Sequence, residues 1–153
     1  MDKPDEVLAM NNEVACGVSK ERIIQLQESM MDIQCKQPEP RHFFAPGMYL
    51  RELTVPAGML IVGKTHKHAH FLIVTTGRAE VISEFGREIV TSGHISVSQA
   101  GVKRVVLAIE DTQFITIHVN SEDSRDLEVI EQEHIEPELS KTIECENRRE
   151  ALP

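Results

Sequence analysis

The chain has 153 residues, 41% of them hydrophobic, and its formal net charge at pH 7 is −9. This length predicts one domain with some excess for terminal segments. The acidic balance argues against general nucleic-acid binding, which needs a basic surface. No apolar stretch approaches the roughly 20 residues of a membrane-spanning helix.

The N-terminal part, residues 1–40, is predicted to be an irregular arm followed by one helix. Ser19 is a suitable N-cap for a helix from about Lys20 to Ile33, because a serine hydroxyl can accept a hydrogen bond from a free backbone amide of the first turn. Apolar residues recur within this stretch at roughly helical spacing. Pro38 and Pro40 are expected to hold the following linker extended.

Residues 41–120 carry a β pattern and are predicted to form one barrel. Short β-rich segments alternate with turns that contain glycine, and there is no alternation of strands with helices. Eight strands at this spacing favour an all-β sandwich or barrel, with a jelly roll as the natural arrangement. The predicted strands are Met48–Val55, Met59–Val62, His66–Val74, Ala79–Ser83, Glu88–Thr91, Ile95–Ser98, Arg104–Ile109 and Gln113–Val119.

Residues 121–153 are predicted to form an acidic helical arm. They hold 11 acidic and 4 basic residues, a net charge of −7. Leu127, Ile130 and His134 are spaced to share one face of a helix, and a second short helix is expected from Leu139 to Arg149. Such a segment is either a solvated face or an arm that docks on a neighbouring subunit, for which the candidate contacts are Leu127, Ile130, Leu139 and Ile143.

The three cysteines, Cys16, Cys35 and Cys145, are odd in number and far apart. They are interpreted as reduced thiols in a cytosol-like compartment. The N-terminus has no apolar core like that of a signal peptide.

Three histidines, His66, His68 and His70, occupy alternate positions and are the leading candidates for a site. Strand side chains alternate between faces, so all three are expected to project from one side of a strand. Neutral imidazoles are ligands for Zn²⁺, Ni²⁺ or Fe²⁺. The alternatives are a polar strand whose imidazoles bond one another or water, and an interface that responds to pH.

Two further residues have open interpretations. His118 could join the metal ligands, but it is expected to face outwards if Ile115 and Ile117 face the core. Arg104, with Lys103, could bind a carboxylate or phosphate at the barrel mouth. Otherwise Arg104 is expected to pair with a barrel acid, for which the candidates are Glu52 and Glu80.

The glycine spacing resembles that of the cupins. Gly63, the three histidines and then Gly77 are similar to the first cupin motif, in which an H-x-H pair and a glutamate precede a glycine. Gly93, Gln99-Ala100-Gly101 and Arg104 are similar to the second motif, which ends in a histidine. The resemblance implies an all-β, cupin-type double-stranded β-helix between the N-terminal helix and the acidic C-terminal arm.

The sequence departs from the cupin motifs at the positions of the metal ligands. His70 stands where the glutamate of the first motif belongs, and Arg104 stands where the second motif has its histidine. A guanidinium is always protonated and cannot ligate a metal. This departure weakens the prediction of a catalytic metal.

A narrower resemblance links residues 42–134 to small single-domain cupin proteins of tailed bacteriophages. It rests on the run from His42 to Leu53, on Val55-Pro-Ala-Gly58, on Gly63-Lys-Thr-His66 and on Thr116-Ile-His118. It implies a phage context and supplies no reaction.

Together these features favour a non-enzymatic structural or accessory module, homo-oligomeric and attached to the virion or to other viral structural proteins. It is expected in the host cytoplasm or the virion, without a cofactor and without nucleic-acid or membrane partners. One alternative is a metal-dependent cupin enzyme, of isomerase or dioxygenase type, that uses the three histidines. Another is a small-anion sensor anchored by Arg104.

Overall fold

The computed structural model describes residues 17–33 and 36–137. The cysteines at 16, 35 and 145, and the predicted contacts Leu139 and Ile143, lie outside these ranges. The described chain has two helices and nine strands, in the order α1 (Lys20–Met30), β1 (Arg41–Ala45), β2 (Met48–Val55), β3 (Leu60–Val62), β4 (His70–Thr76), β5 (Arg78–Ser83), β6 (Gly86–Thr91), β7 (Ile95–Ser98), β8 (Val105–Ala108), β9 (Thr112–Val119) and α2 (Leu127–His134). None of the described helices has the length and apolar character that a membrane crossing requires.

The strands form two antiparallel sheets, which confirms the predicted all-β fold. One sheet has the strand order β1-β2-β9-β4-β7 and the other has the order β3-β8-β5-β6. Neighbours such as β2 and β9 are far apart in the chain, as in a jelly roll. The hydrophobic core lies between the sheets and consists of Val55, Val74, Ala79, Val81, Val90, Ala108 and Phe114.

The first helix forms where it is predicted, but it ends earlier. The Ser19 hydroxyl accepts a hydrogen bond from the amide of Arg22, which caps the helix as expected. Ile23 is its buried residue, with 1% of its surface exposed. The helix ends at Met30 rather than Ile33, and Ile33 is mostly exposed, so no packing extends the last turn.

The strand pattern differs from the prediction in two places. Strand β1, Arg41–Ala45, was not predicted, because its polar and apolar residues do not form a long hydrophobic run. It is held by antiparallel pairing with β2 across the turn at Gly47, whose φ is +73°. The predicted strand His66–Val74 is also wrong at its start, because β4 begins only at His70.

Residues 66–69 form a loop because other segments bind its backbone. The amide of Lys67 donates to the carbonyl of His134, and the amide of Gly101 donates to the carbonyl of His66. The amide of Glu136 likewise donates to the carbonyl of Thr65. The chain after α2 therefore folds back onto the histidine loop and fixes its position.

The second helix, α2, confirms the predicted helix in the acidic segment. Its N-cap is Asp126, whose side chain accepts a hydrogen bond from the amide of Glu128. Ile130 and His134 are buried, so one helix face packs against the barrel, as their spacing predicts.

Candidate metal centre

A cavity of about 470 Å³ opens between the two sheets and is bordered by α2. Its walls combine apolar side chains with a small set of charged and aromatic ones. The apolar part includes Leu53, Val55, Ile61, Leu72, Val81, Val102, Val106 and Phe114. The polar part includes His42, Tyr49, Arg51, His66, His70, Arg104, His118 and His134. A mostly apolar cavity with a few converging polar groups is typical of small-molecule sites.

Three histidines converge in this cavity: His66, His70 and His118. One ring nitrogen from each lies within 4.8 Å of the others, and His70 and His118 are buried. The ring centroids of His66 and His70 are 4.1 Å apart, and those of His70 and His118 are 4.6 Å apart. Such a group can present three nitrogen ligands to one metal ion.

The sheet register explains why two of these histidines meet. Phe71 of β4 pairs with Ile117 of β9, so the preceding and following residues, His70 and His118, are cross-strand neighbours. Both face inwards, on the same side as Leu72 and Phe114. His66 reaches them from the loop that the C-terminal segment holds in place.

Hydrogen bonds orient the three rings. Nδ1 of His66 lies 3.1 Å from the Lys64 carbonyl, and Nδ1 of His70 lies 3.5 Å from the His68 carbonyl. Nε2 of His118 lies 3.0 Å from the Thr116 hydroxyl. Each ring thus has one nitrogen near a local partner and a second nitrogen available to a ligand.

The site keeps its imidazoles neutral. Burial, followed by the neighbouring His70, lowers the pKa of His66 to about 3. Burial, followed by His70 and His66, lowers the pKa of His118 to about 3. The pKa of His70 is also lowered, mainly by burial. A metal binds the neutral form of imidazole, so these shifts favour binding over protonation.

The structure changes the predicted membership of the cluster. His68 is exposed in the loop, where its ring makes an edge contact with His134 at a centroid distance of 5.7 Å. The prediction that all three histidines share one face of a strand is therefore wrong. His118 takes the third position, and the prediction that it faces outwards is also wrong, because the isoleucines of β9 lie on the outer face of the sheet.

An aromatic row extends from the cluster across the sheet. Tyr49 of β2 pairs in register with His118, and their rings stack at a centroid distance of 5.7 Å. The Tyr49 hydroxyl lies 2.6 Å from Nδ1 of His42, whose ring stacks on Tyr49 from the other side. These contacts were not predicted from the sequence, since the pairing of β1 with β2 was not recognised.

Arg104 lies in the cavity wall but does not form the predicted ion pairs. Its guanidinium donates to the Ser98 hydroxyl at 2.5 Å. The two acids that it was expected to meet have other partners, since Glu52 pairs with Arg41 and Glu80 pairs with Arg87. Lys103 is buried and donates to the carbonyl of Gly63 at 3.2 Å, and it is not itself among the residues that line the cavity.

Sequence reasoning missed Arg51, which also lines the cavity. Its strand alternates Tyr49, Arg51, Leu53 and Val55 on the inner face. An arginine at an inward position between apolar neighbours was the available signal.

Two of the predicted docking residues lie on α2 and border the cavity. Ile130 is buried in the wall of the chain's own cavity and is not available to a neighbouring subunit. Leu127 also lines the cavity but remains 42% exposed.

An unsatisfied buried nitrogen lies beside the cluster. His134 of α2 is 5% exposed, and its ring centroid is 5.4 Å from that of His118. Its Nε2 is buried and has no hydrogen-bond partner among residues 17–33 and 36–137. A buried polar atom without a partner is costly, so this nitrogen indicates a place for a further polar group in the cavity.

The donor set fits a divalent transition metal. Three neutral imidazoles suit Zn²⁺, Ni²⁺ or Fe²⁺, and a three-ligand set leaves coordination positions open towards the cavity. The nearby cations Arg51 and Arg104 oppose a bare dication, but they favour one that carries an anionic ligand.

No protein-family model matches the chain, and neither does any curated protein sequence. Solved structures do match. KdgF from Halomonas sp. is 17% identical with a TM-score of 0.50, over 63% of this chain and 87% of that one. The plu4264 protein from Photorhabdus luminescens is 18% identical with a TM-score of 0.50, over 65% and 89%. A cupin-2 domain containing protein from Shewanella frigidimarina is 14% identical with a TM-score of 0.47, over 61% and 92%.

At these identities the likeness shows the fold alone. The two antiparallel sheets, their topology and the likeness to KdgF and plu4264 give the chain a cupin-type β-barrel with an N-terminal helix, as the sequence predicts.

Proposed function

We propose that the protein is a metal-dependent cupin enzyme that holds one divalent transition metal with His66, His70 and His118. The observation that carries this proposal is the convergence of three imidazole nitrogens within 4.8 Å inside a cavity large enough for a small molecule. When bound, the metal would act as a Lewis acid towards an oxygen of that molecule.

An isomerase-type reaction is favoured over a dioxygenase by His134. Its Nε2 is buried beside the cluster and finds no partner in the described part of the chain. Burial lowers the pKa of its ring below 6.5, so the ring is mainly neutral at pH 7. A neutral imidazole in a cavity wall can accept a proton from a bound molecule and return it elsewhere. Tyr49, adjacent to His118, is another group in the cavity wall that could exchange a proton there.

Metal analysis of protein purified without a histidine tag tests the proposal. We expect close to one equivalent of Zn, Ni or Fe per chain, and loss of at least nine-tenths of it in His66→Ala, His70→Ala and His118→Ala. His68→Ala is the matched control, because His68 is a histidine of the same loop outside the cluster. Metal retained in the three cluster variants, or lost equally in the control, would contradict the proposal.

A second candidate, the homo-oligomeric structural or accessory module, is favoured by an exposed apolar face. The outer face of the five-stranded sheet carries a continuous register row across all its strands, consisting of Phe43, Leu50, Ile117, Phe71 and Val97. A shorter row of Ile115, Ile73 and Ile95 runs beside it. Phe43, Phe71, Val97 and Ile95 are each at least 45% exposed.

A second copy of this chain is the occupant we propose for this outer face. Strand spacing and rise give the patch a projected area on the order of 400 Å². A standard interface buries roughly 800 Å² on each partner. The patch is about half of that area, which fits the apolar centre of an interface that is surrounded by a polar rim. An apolar sheet face can also pair with itself about a two-fold axis.

Sedimentation of Phe71→Lys/Val97→Lys tests this second candidate. We expect the wild type to be dimeric and this variant monomeric. Phe85→Lys is the control, because Phe85 is 78% exposed at the turn of the other sheet. A monomeric wild type would contradict the candidate. Association with the virion and with other viral proteins stays a prediction.

A further inference from the structure

We infer that the cavity binds a small carboxylate with a short apolar body, and that Arg51 and Arg104 hold the carboxylate group. Both arginines line the same cavity as the three histidines. The inference extends the proposed function, but it depends on the two guanidinium groups rather than on a metal.

The charge of the cavity wall is opposite to that of the protein. The cationic side chains among the lining residues are Arg51, Lys64 and Arg104, and the carboxylate among them is Glu131. Lys64 forms an ion pair with Glu131, which leaves two positive charges on a chain whose formal net charge is −9. With neutral imidazoles, the lining has a net positive charge that an anion would balance.

The two guanidinium groups keep donors free for a ligand. Arg104 has one described bond, to the Ser98 hydroxyl, and a guanidinium carries five N–H donors. Arg51 forms no hydrogen bond or ion pair with any residue in ranges 17–33 and 36–137, although the charge of Glu131, which pairs with Lys64, acts on it. Glu88, whose charge acts on Arg104, is exposed on β6 and does not line the cavity.

A partly buried guanidinium donor without a hydrogen-bond partner destabilises the folded protein. Arg51 and Arg104 are both partly buried, so both charges are partly removed from water, and this burial lowers the pKa of each guanidinium. A planar guanidinium can bind a carboxylate through two parallel hydrogen bonds. A carboxylate entering the cavity would therefore satisfy donors that the chain itself does not.

The apolar walls indicate the remainder of the ligand. Leu53, Leu72, Val106 and Phe114 lie deeper between the sheets, on the cavity side. A branched chain of four to six carbons would bury its apolar surface there, and the volume of about 470 Å³ accommodates it.

An NMR or calorimetric titration of EDTA-treated protein with 4-methylpentanoate tests the inference. The amide 4-methylpentanamide has the same shape without the charge, and inorganic phosphate has charge without the apolar body. We expect the carboxylate to bind at least ten-fold more tightly than either. Equal binding of the amide would contradict the role of the arginines, and tighter binding of phosphate would contradict the role of the apolar walls.

Variants of the two arginines, with one control, separate their role in binding from general effects on the protein. Arg51→Gln and Arg104→Gln are each expected to weaken carboxylate binding by about 10-fold to 100-fold, as for loss of a charge-assisted hydrogen bond. Arg51→Lys keeps the positive charge but loses the planar pair of N–H donors. Its affinity for the carboxylate should therefore lie between that of the glutamine variants and that of the wild type. Arg87→Gln is the matched control, since Arg87 pairs with Glu80 outside the cavity.

The outcomes distinguish this inference from the proposed function. Carboxylate binding that depends on Arg51 without metal uptake would support the anion site and contradict the metal site. Metal uptake with no effect of either glutamine variant, in protein whose thermal midpoint is unchanged, would contradict the anion site alone.

Discussion

The buried histidines predict that the metal-free protein loses stability in acid, and His118 gives the magnitude. Its pKa is about 3 in the folded state, whereas an exposed imidazole ring has a pKa of 6.5. Below pH 6.5 the His118 ring is protonated in the unfolded chain but stays neutral in the folded chain. The free energy of unfolding therefore decreases as the pH falls from 6.5 towards 3, and it is fully retained above 6.5.

At pH 5 the contribution of His118 amounts to about 2 kcal/mol, from 1.5 pH units at about 1.36 kcal/mol per unit. Urea unfolding of EDTA-treated protein at pH 5, 6, 7 and 8 measures the loss directly. His118→Gln removes the titrating group, so its free energy of unfolding should depend less on pH, by about 2 kcal/mol between pH 8 and pH 5. His68→Gln is the control, because that side chain is exposed outside the cluster. A His118→Gln variant with the same pH dependence as the wild type would refute the reasoning.

Three further predictions concern the fold. Gly77→Ala should lower the free energy of unfolding in urea by several kcal/mol, because the residue has a φ of +87° and a new Cβ would lie 2.2 Å from the carbonyl oxygen of Asp111. Gly58→Ala is the control: its φ is +81°, but a new Cβ would have nothing within 4 Å, so the loss should be about 1 kcal/mol. Ile23→Ala should cost about 2–4 kcal/mol by the same measurement, because the side chain is buried, and an unchanged stability would mean that α1 does not pack on the barrel. Asp126→Ala should cost about 1 kcal/mol through loss of the α2 cap, and Asp126→Asn should restore most of it.

The barrel could be predicted because its turns and strands are local features. Glycine turns at 77, 93 and 101 have positive φ values, and the segments between them form strands as expected. Strand β1 could not be found in this way, since its stability comes from pairing with β2 and not from its own composition. The same holds for the start of β4, where the C-terminal segment, rather than local sequence, binds residues 65–67.

The candidate site was only half accessible to sequence reasoning. The alternate spacing of the histidines correctly indicates His66 and His70 as site residues. It wrongly includes His68, because residues 66–69 form a loop and not a strand. The prediction for His118 selects the wrong face of β9, because it treats the neighbouring isoleucines as core residues. At the end of β9 near the histidines the inward-facing residues, Thr116 and His118, are polar, and the isoleucines of β9 lie on the outer face of the sheet.

X-ray absorption spectroscopy of the zinc-loaded protein tests the central claim most directly. The account predicts three imidazole nitrogens at about 2.0–2.1 Å from the metal, falling to two in His118→Ala. A shell containing sulfur at about 2.3 Å, or an imidazole count unchanged in His118→Ala, would contradict it.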